Sequence, residues 1–154
     1  MSTITESVDV AVEVSTAYNQ WTQFESFPQF MEGVDEIRQI DDTHTHWVTS
    51  IAGVTREFYA TITEQNPDER VAWRSDDGPD HAGAITFHRL DDTTTRVTAQ
   101  MDIDPEGFAE NAADKLGILD RRVKGDMRRF KEFIESRGGD ETGAWRGKVH
   151  RPDG

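Results

Sequence analysis

Apolar and polar residues alternate from the start of the chain. Ile4, Glu6, Val8, Val10 and Val12 share one parity, and Thr5, Ser7, Asp9 and Glu13 take the other. A period of two predicts a half-buried strand. Glu6 is the one charge on its apolar side. Ser15 is then placed to cap a short helix over 16–22, with Tyr18, Trp21 and Thr22 at helical spacing. A second short helix or turn follows over 25–31, limited by Pro28. Trp21, Phe24, Phe27 and Phe30 are too aromatic a set for a surface loop, so these two pieces are expected to close one end of the domain.

Six more strands are predicted, over 34–40, 45–52, 54–65, 70–75, 82–90 and 95–103. Between them lie Asp41-Asp42, Gly53, Asn66-Pro67-Asp68, Asp76-Asp77-Gly78-Pro79 and Asp91-Asp92, all turn formers. Short links of this kind predict an antiparallel meander. From Pro105 the period changes: Ala112, Leu116, Leu119, Val123, Met127, Phe130 and Ile134 recur at steps of three and four, as on one long amphipathic helix. Gly138-Gly139 is expected to end it. A sheet with one apolar face and a helix with one apolar stripe must cover each other. The prediction is an α+β domain over 1–137: a seven-stranded antiparallel sheet curved around a long C-terminal helix, with two short helices after strand 1. This is the helix-grip order. Residues 138–154 read as a flexible polar tail, although Ala144-Trp145-Arg146 offers an aromatic that can fold back.

A length of 154 residues suits one such domain. The net charge of -13 argues against nucleic acid as a partner and disfavours anionic membranes. No apolar block follows a basic start, so neither a signal peptide nor stable membrane insertion is expected, and the predicted location is cytoplasmic. The absence of cysteine removes disulfides, thiolate metal sites and thiol nucleophiles. No Gly-x-Ser-x-Gly, phosphate loop, dinucleotide-binding glycine pattern or His-Glu-x-x-His occurs. No cofactor and no metal are expected.

Several segments carry a family likeness. They are 69–83 (ERVAWRSDDGPDHAG), Ile85-Thr86-Phe87, Thr95-Arg96-Val97-Thr98, Pro105-Glu106-Gly107 and 129–135 (RFKEFIE), with 10–18 and 21–34 (WTQFESFPQFMEGV) at the front. Together they resemble the polyketide cyclase/dehydrase and lipid-transport family of the START/Bet v 1-like (SRPBCC) superfamily, over about residues 3 to 137. Glu13 departs from that pattern, which often has proline there. The resemblance implies a helix-grip fold and a cavity between the sheet and the long helix. It also implies either carriage of a hydrophobic ligand or an aldol-type cyclisation and dehydration of a poly-β-ketone guided by cavity shape.

Parity assigns Arg56, Phe58, Ala60, Ile62, Val71, Trp73, Ile85, Phe87, Val97, Ala99, Met101 and Ile103 to the inner face. The expected ligand wall is Arg56, Phe58, Trp73, Phe87 and Met101 from the sheet, with Leu116, Val123 and Met127 from the helix. The same residues equally make a packed core. Arg56 can bind a carboxylate or polarise a ketone, or point to water. His81, in an Asp/Gly/Pro-rich loop, is either a general acid or base or a solvated loop histidine. Arg56, Tyr59 and His81 are the candidate catalytic groups. His44 and His46 form a His-x-His pair without an evident third ligand, which favours an exposed strand edge. Asp102-x-Asp104-Pro105-Glu106 reads as a helix cap rather than a calcium loop. The stretch 115–131 is locally basic, suited to cover apolar surface or to dock an acidic partner. The functional expectation is a binder or carrier of a lipid, polyketide or isoprenoid, acting as monomer or homodimer. The alternatives are a polyketide cyclase/dehydrase (aromatase) and a protein interaction module.

Overall fold

The computed structural model describes residues 2–51, 53–78, 80–104, 115–137, 140–147 and 149. The first alternating segment forms β1 (Ser2–Val10), which buries Ile4 and Val10. Helix α1 (Val14–Trp21) starts earlier than the sequence predicts. Glu13 is its N-cap residue, in extended backbone without a side-chain cap, and Ala17 N–H donates to the Glu13 carbonyl at 3.1 Å. Ser15 is therefore inside the helix, and its hydroxyl donates to Asp68 at 3.2 Å. A 3-10 helix (Phe24–Gln29) follows, with Pro28 inside it.

The meander then runs through β2 (Val34–Gln39), β3 (His44–Ile51), β4 (Val54–Asn66), β5 (Arg70–Ser75), β6 (His81–Asp91) and β7 (Thr94–Ile103). All seven strands form one antiparallel sheet in the order β1-β7-β6-β5-β4-β3-β2. Each hairpin turns where the punctuation lies: Gly53 takes φ 81 between β3 and β4, and Asp68 takes φ 64 between β4 and β5. Register shifts at Val34/Glu36, Ile62/Glu64 and Arg89/Asp91 mark where the ladder is irregular, a device that bends a strand and sharpens its twist.

The long helix, α2 (Lys115–Ser136), lies against β1 and inside the curve of the sheet. It buries Leu119, Val123, Met127, Phe130 and Ile134, whereas Leu116 is 43 % exposed. Asp120 and Lys124 of α2 face Glu6, whose carboxyl is held above its usual range chiefly by a hydrogen bond with Asp120. Ala112, the Gly138-Gly139 helix end and the cap expected around Pro105 and Glu106 lie outside the described residues. The aromatic residues of α1 and the 3-10 helix close one side of the core, as expected. Trp21 meets Phe27, Phe30 and Phe130 with centroids 4.9 to 5.2 Å apart. Phe24 and Phe27 reach Trp73 at 5.7 and 5.9 Å. Trp73 in turn stacks on Trp47 at 5.7 Å. A Cβ at Gly83 would stand 2.4 Å from Cζ2 of Trp73, so only glycine lets this indole lie flat against β6.

Beyond α2, residues 140–147 and Val149 lie folded back on the domain. Asn19 and Gln20 of α1 are buried polar groups, and this segment supplies partners to both. Glu141 accepts from Asn19 at 2.8 Å, Arg146 donates to Asn19 at 2.6 Å, and Thr142 N–H donates to Gln20 at 2.8 Å. Val149 exchanges backbone hydrogen bonds with Gln65 at 2.8 and 3.1 Å. No described helix is long and apolar enough to cross a membrane.

Candidate functional site

The inward row of β3 is Thr45, Trp47, Thr49 and Ile51, all buried. Trp47 Nε1 donates to the Thr45 hydroxyl at 2.8 Å, and that hydroxyl lies 3.4 Å from the Ala60 carbonyl, so Thr45 is fully engaged inside the sheet. Thr49, two residues on, is different: its Oγ1 is buried and has no hydrogen-bond partner among the described residues. An unsatisfied buried hydroxyl costs about 1–3 kcal/mol. The space in front of it is a cavity of about 70 Å³. Trp47, Ile51, Met101 and Ile103 wall it from the sheet, and Leu119 and Val123 from α2. Met31, Gly33 and Val34 close it from the loop behind the 3-10 helix.

Three further polar side chains border this cavity: His81, Arg122 and Asp126. β6 begins at His81, so the residue belongs to a strand and not to a loop, and the reading of a solvated histidine is corrected. It shares the parity of Gly83, Ile85 and Phe87, which turns its ring inward. Trp47, Phe58 and Trp73 surround that ring edge-on at 5.8, 6.0 and 6.2 Å. Burial holds its pKa down to about 4, with the Asp102 charge pulling the other way, so the imidazole is neutral at pH 7. Asp126 is 7 % exposed, and burial pushes its pKa up to about 6 despite the Arg129 hydrogen bond. The Glu32 backbone N–H also donates to Asp126, at 3.1 Å. Glu32 itself lies 3.4 Å from Arg122 and 3.5 Å from Arg129. This cluster ties α2 to the loop at the rim of the cavity.

The residues singled out from the sequence take different places. Met101, Val123 and His81 meet at the cavity. Phe58, Trp73, Phe87 and Met127 are buried in the adjoining core without lining it. Arg56 is half-buried on the inward parity, opposite Thr49 in the β3–β4 register, and donates to the Thr55 carbonyl at 3.2 Å. Tyr59 is 47 % exposed on the outer face, its ring 4.9 Å from His46. His44 bonds Asp41 at 2.9 Å and His46 stands 3.5 Å from Glu57. Among the described residues no three His, Asp or Glu groups come together as a metal site. Thr49 escaped the sequence reading, and Arg122 and Asp126 entered it only as members of the charged stretch 115–131, not as cavity residues. Thr49 was accessible in principle, because it continues the parity of Thr45 and Trp47. Asp126 sits three residues after Val123 and beside Met127, a carboxylate on the edge of the apolar stripe.

Comparison with known proteins agrees with this fold. The chain is 60 % identical over 150 residues to an uncharacterised 17.2 kDa protein of Streptomyces lincolnensis, covering 97 % of this chain and 99 % of that one. Its fold is similar to that of the ZhuI aromatase/cyclase from a Streptomyces species, with a TM-score of 0.73 at 12 % identity, covering 89 % of this chain and 95 % of the other. It is also similar to a START superfamily protein from Mycobacterium smegmatis, with a TM-score of 0.63 at 14 % identity over 83 % and 98 % of the two chains. The model of the family described as polyketide cyclase/dehydrase and lipid transport matches residues 10–132. With that match over most of its length, and a helix-grip sheet closed on an apolar cavity, the chain belongs to the polyketide cyclase/dehydrase and lipid transport family.

Proposed function

We propose that this protein binds a hydrophobic small molecule, a lipid, polyketide or isoprenoid, between the sheet and α2. The observation that carries this reading is the cavity itself, walled by Trp47, Met101, Leu119 and Val123 and rimmed by a few polar groups. Pockets for drug-sized ligands hold about 300–1,000 Å³. A cavity of about 70 Å³ admits only the end of such a molecule. A larger part enters if α2 and the Met31–Gly33 loop move apart. Native mass spectrometry of freshly purified protein tests the reading. An apolar compound should be retained by the wild type and lost on Val123→Phe, which fills the cavity, but kept on Leu116→Ala, which alters an exposed side chain. Equal retention in all three would refute it.

His81 favours a second reading, cyclase/dehydrase catalysis. With its pKa held down to about 4 the imidazole is a weak base, but a neutral imidazole in an apolar wall is competent to hydrogen-bond a ketone or enol oxygen and orient it. This reading predicts turnover of a poly-β-ketone that is lost on His81→Phe while ligand retention persists.

A further inference from the structure

The ligand reading leaves open which chemical group enters the cavity first, and one side chain bears on that choice. Thr49 is 5 % exposed, lines the cavity, and offers a hydroxyl that no described residue engages. A threonine hydroxyl supplies one donor and two acceptor sites. Its neighbour in the row, Thr45, uses its own hydroxyl between Trp47 and Ala60. A valine would fill the position of Thr49 with nearly the same shape and without a polar atom to satisfy. Charge around the cavity is balanced: Arg122 and Arg129 are held by Glu32, and Asp126 borders the space directly. A carboxylate entering here meets another carboxylate, and the guanidinium that lines the space, Arg122, is already paired with Glu32.

Resting on the ligand reading above, we propose that Thr49 is a specificity-determining residue. It selects a ligand whose inserted end is uncharged and carries one oxygen, as in an alcohol, phenol or ketone. Plain hydrocarbon ends and carboxylates are disfavoured. An oxygen at the inserted end completes the hydrogen bonding of the Thr49 hydroxyl, which a hydrocarbon end leaves unmade.

Phenol, toluene and benzoate share one ring and differ only in hydroxyl, methyl and carboxylate, so they isolate the group in question. Each is titrated into the full chain, following the indole N–H resonances of Trp47 and Trp73 by NMR. Thr49→Val should lower the phenol-to-toluene affinity ratio about five- to tenfold, the loss of one neutral hydrogen bond. Thr49→Ser, which keeps the hydroxyl, should preserve the ratio, and benzoate should bind weakest to the wild type. A ratio unchanged in Thr49→Val, with binding intact, would overturn the role of Thr49. Benzoate binding as tightly as phenol would overturn the selection against acids. Silence from all three compounds would refute the cavity reading itself, and the Thr49 proposal with it.

Discussion

His81→Phe is the sharpest probe of the interior. The ring stands among Trp47, Phe58 and Trp73 at 5.8 to 6.2 Å, and burial lowers its pKa from 6.5 to about 4. The unfolded chain therefore binds a proton that the folded chain refuses between those two values. Stability is complete above pH 6.5, falls as the pH drops towards 4, and has lost the whole contribution below that. At about 1.4 kcal/mol per pH unit the full swing is about 3 kcal/mol, of which about 2 kcal/mol is lost between about pH 7.5 and 5. For a domain of this size that corresponds to about 4–8 °C in Tm. Phenylalanine preserves the aromatic contacts and cannot titrate. Circular-dichroism melts across this range should show the wild type losing more Tm than His81→Phe by about that margin. The other carboxylates cancel in the comparison. Parallel pH profiles within about 1 °C would mean that the imidazole is solvated and that the site described above is wrong at its centre.

Three further outcomes follow from the same geometry. Asp126 has the opposite sign, because its folded pKa of about 6 lies above the ordinary 3.8, and the folded state gains a proton first. The Tm of Asp126→Asn should therefore rise relative to wild type as the pH climbs from about 4 to 7, in the same melts. Gly83→Ala places a Cβ 2.4 Å from the Trp73 ring. Because ordinary contacts lie near 3.5–4.0 Å, it should cost about 1–3 kcal/mol and alter the near-ultraviolet dichroism of the Trp47–Trp73 pair. Arg146→Ala removes hydrogen bonds to Asn19 and Asp68 and the guanidinium 5.5 Å above Tyr18. Faster hydrogen exchange in α1, with β5 and β6 unchanged, is the expected signature.

The fold was legible because burial on one face imposes a period, and neither the strands nor α2 departs far from it. Turn residues then fixed the meander, since Gly53 and Asp68 occupy positive φ where the chain reverses. The cavity was not legible in the same way. It is a small residue of packing between side chains whose pattern is the same whether they touch or leave a gap, so Phe58 and Trp73 went to the core while Met101 reached the void. His81 was misplaced because a loop-like neighbourhood of Asp, Gly and Pro hides the first residue of a strand. Leu116 fits the helical stripe by spacing, yet it sits in the first turn of α2, before the buried run that begins at Leu119. Asp126 pairs locally with Arg129, three residues on, but the Glu32 backbone that caps it is 94 residues away, a partner that no local pattern reveals.

The pairing of β1 with β7 bears on how the chain is made. Every other neighbouring pair in the sheet is a hairpin or near-hairpin, formed soon after its two strands are synthesised, but Ser7 meets Thr98 across 91 residues. At about 5–20 residues per second, β1 waits about 5 to 20 s on the ribosome before its partner emerges, with Ile4, Val8 and Val10 unprotected. Glu6 and Asp9 keep this orphaned segment charged during the interval, and charge on an unpaired strand disfavours its pairing with the wrong edge.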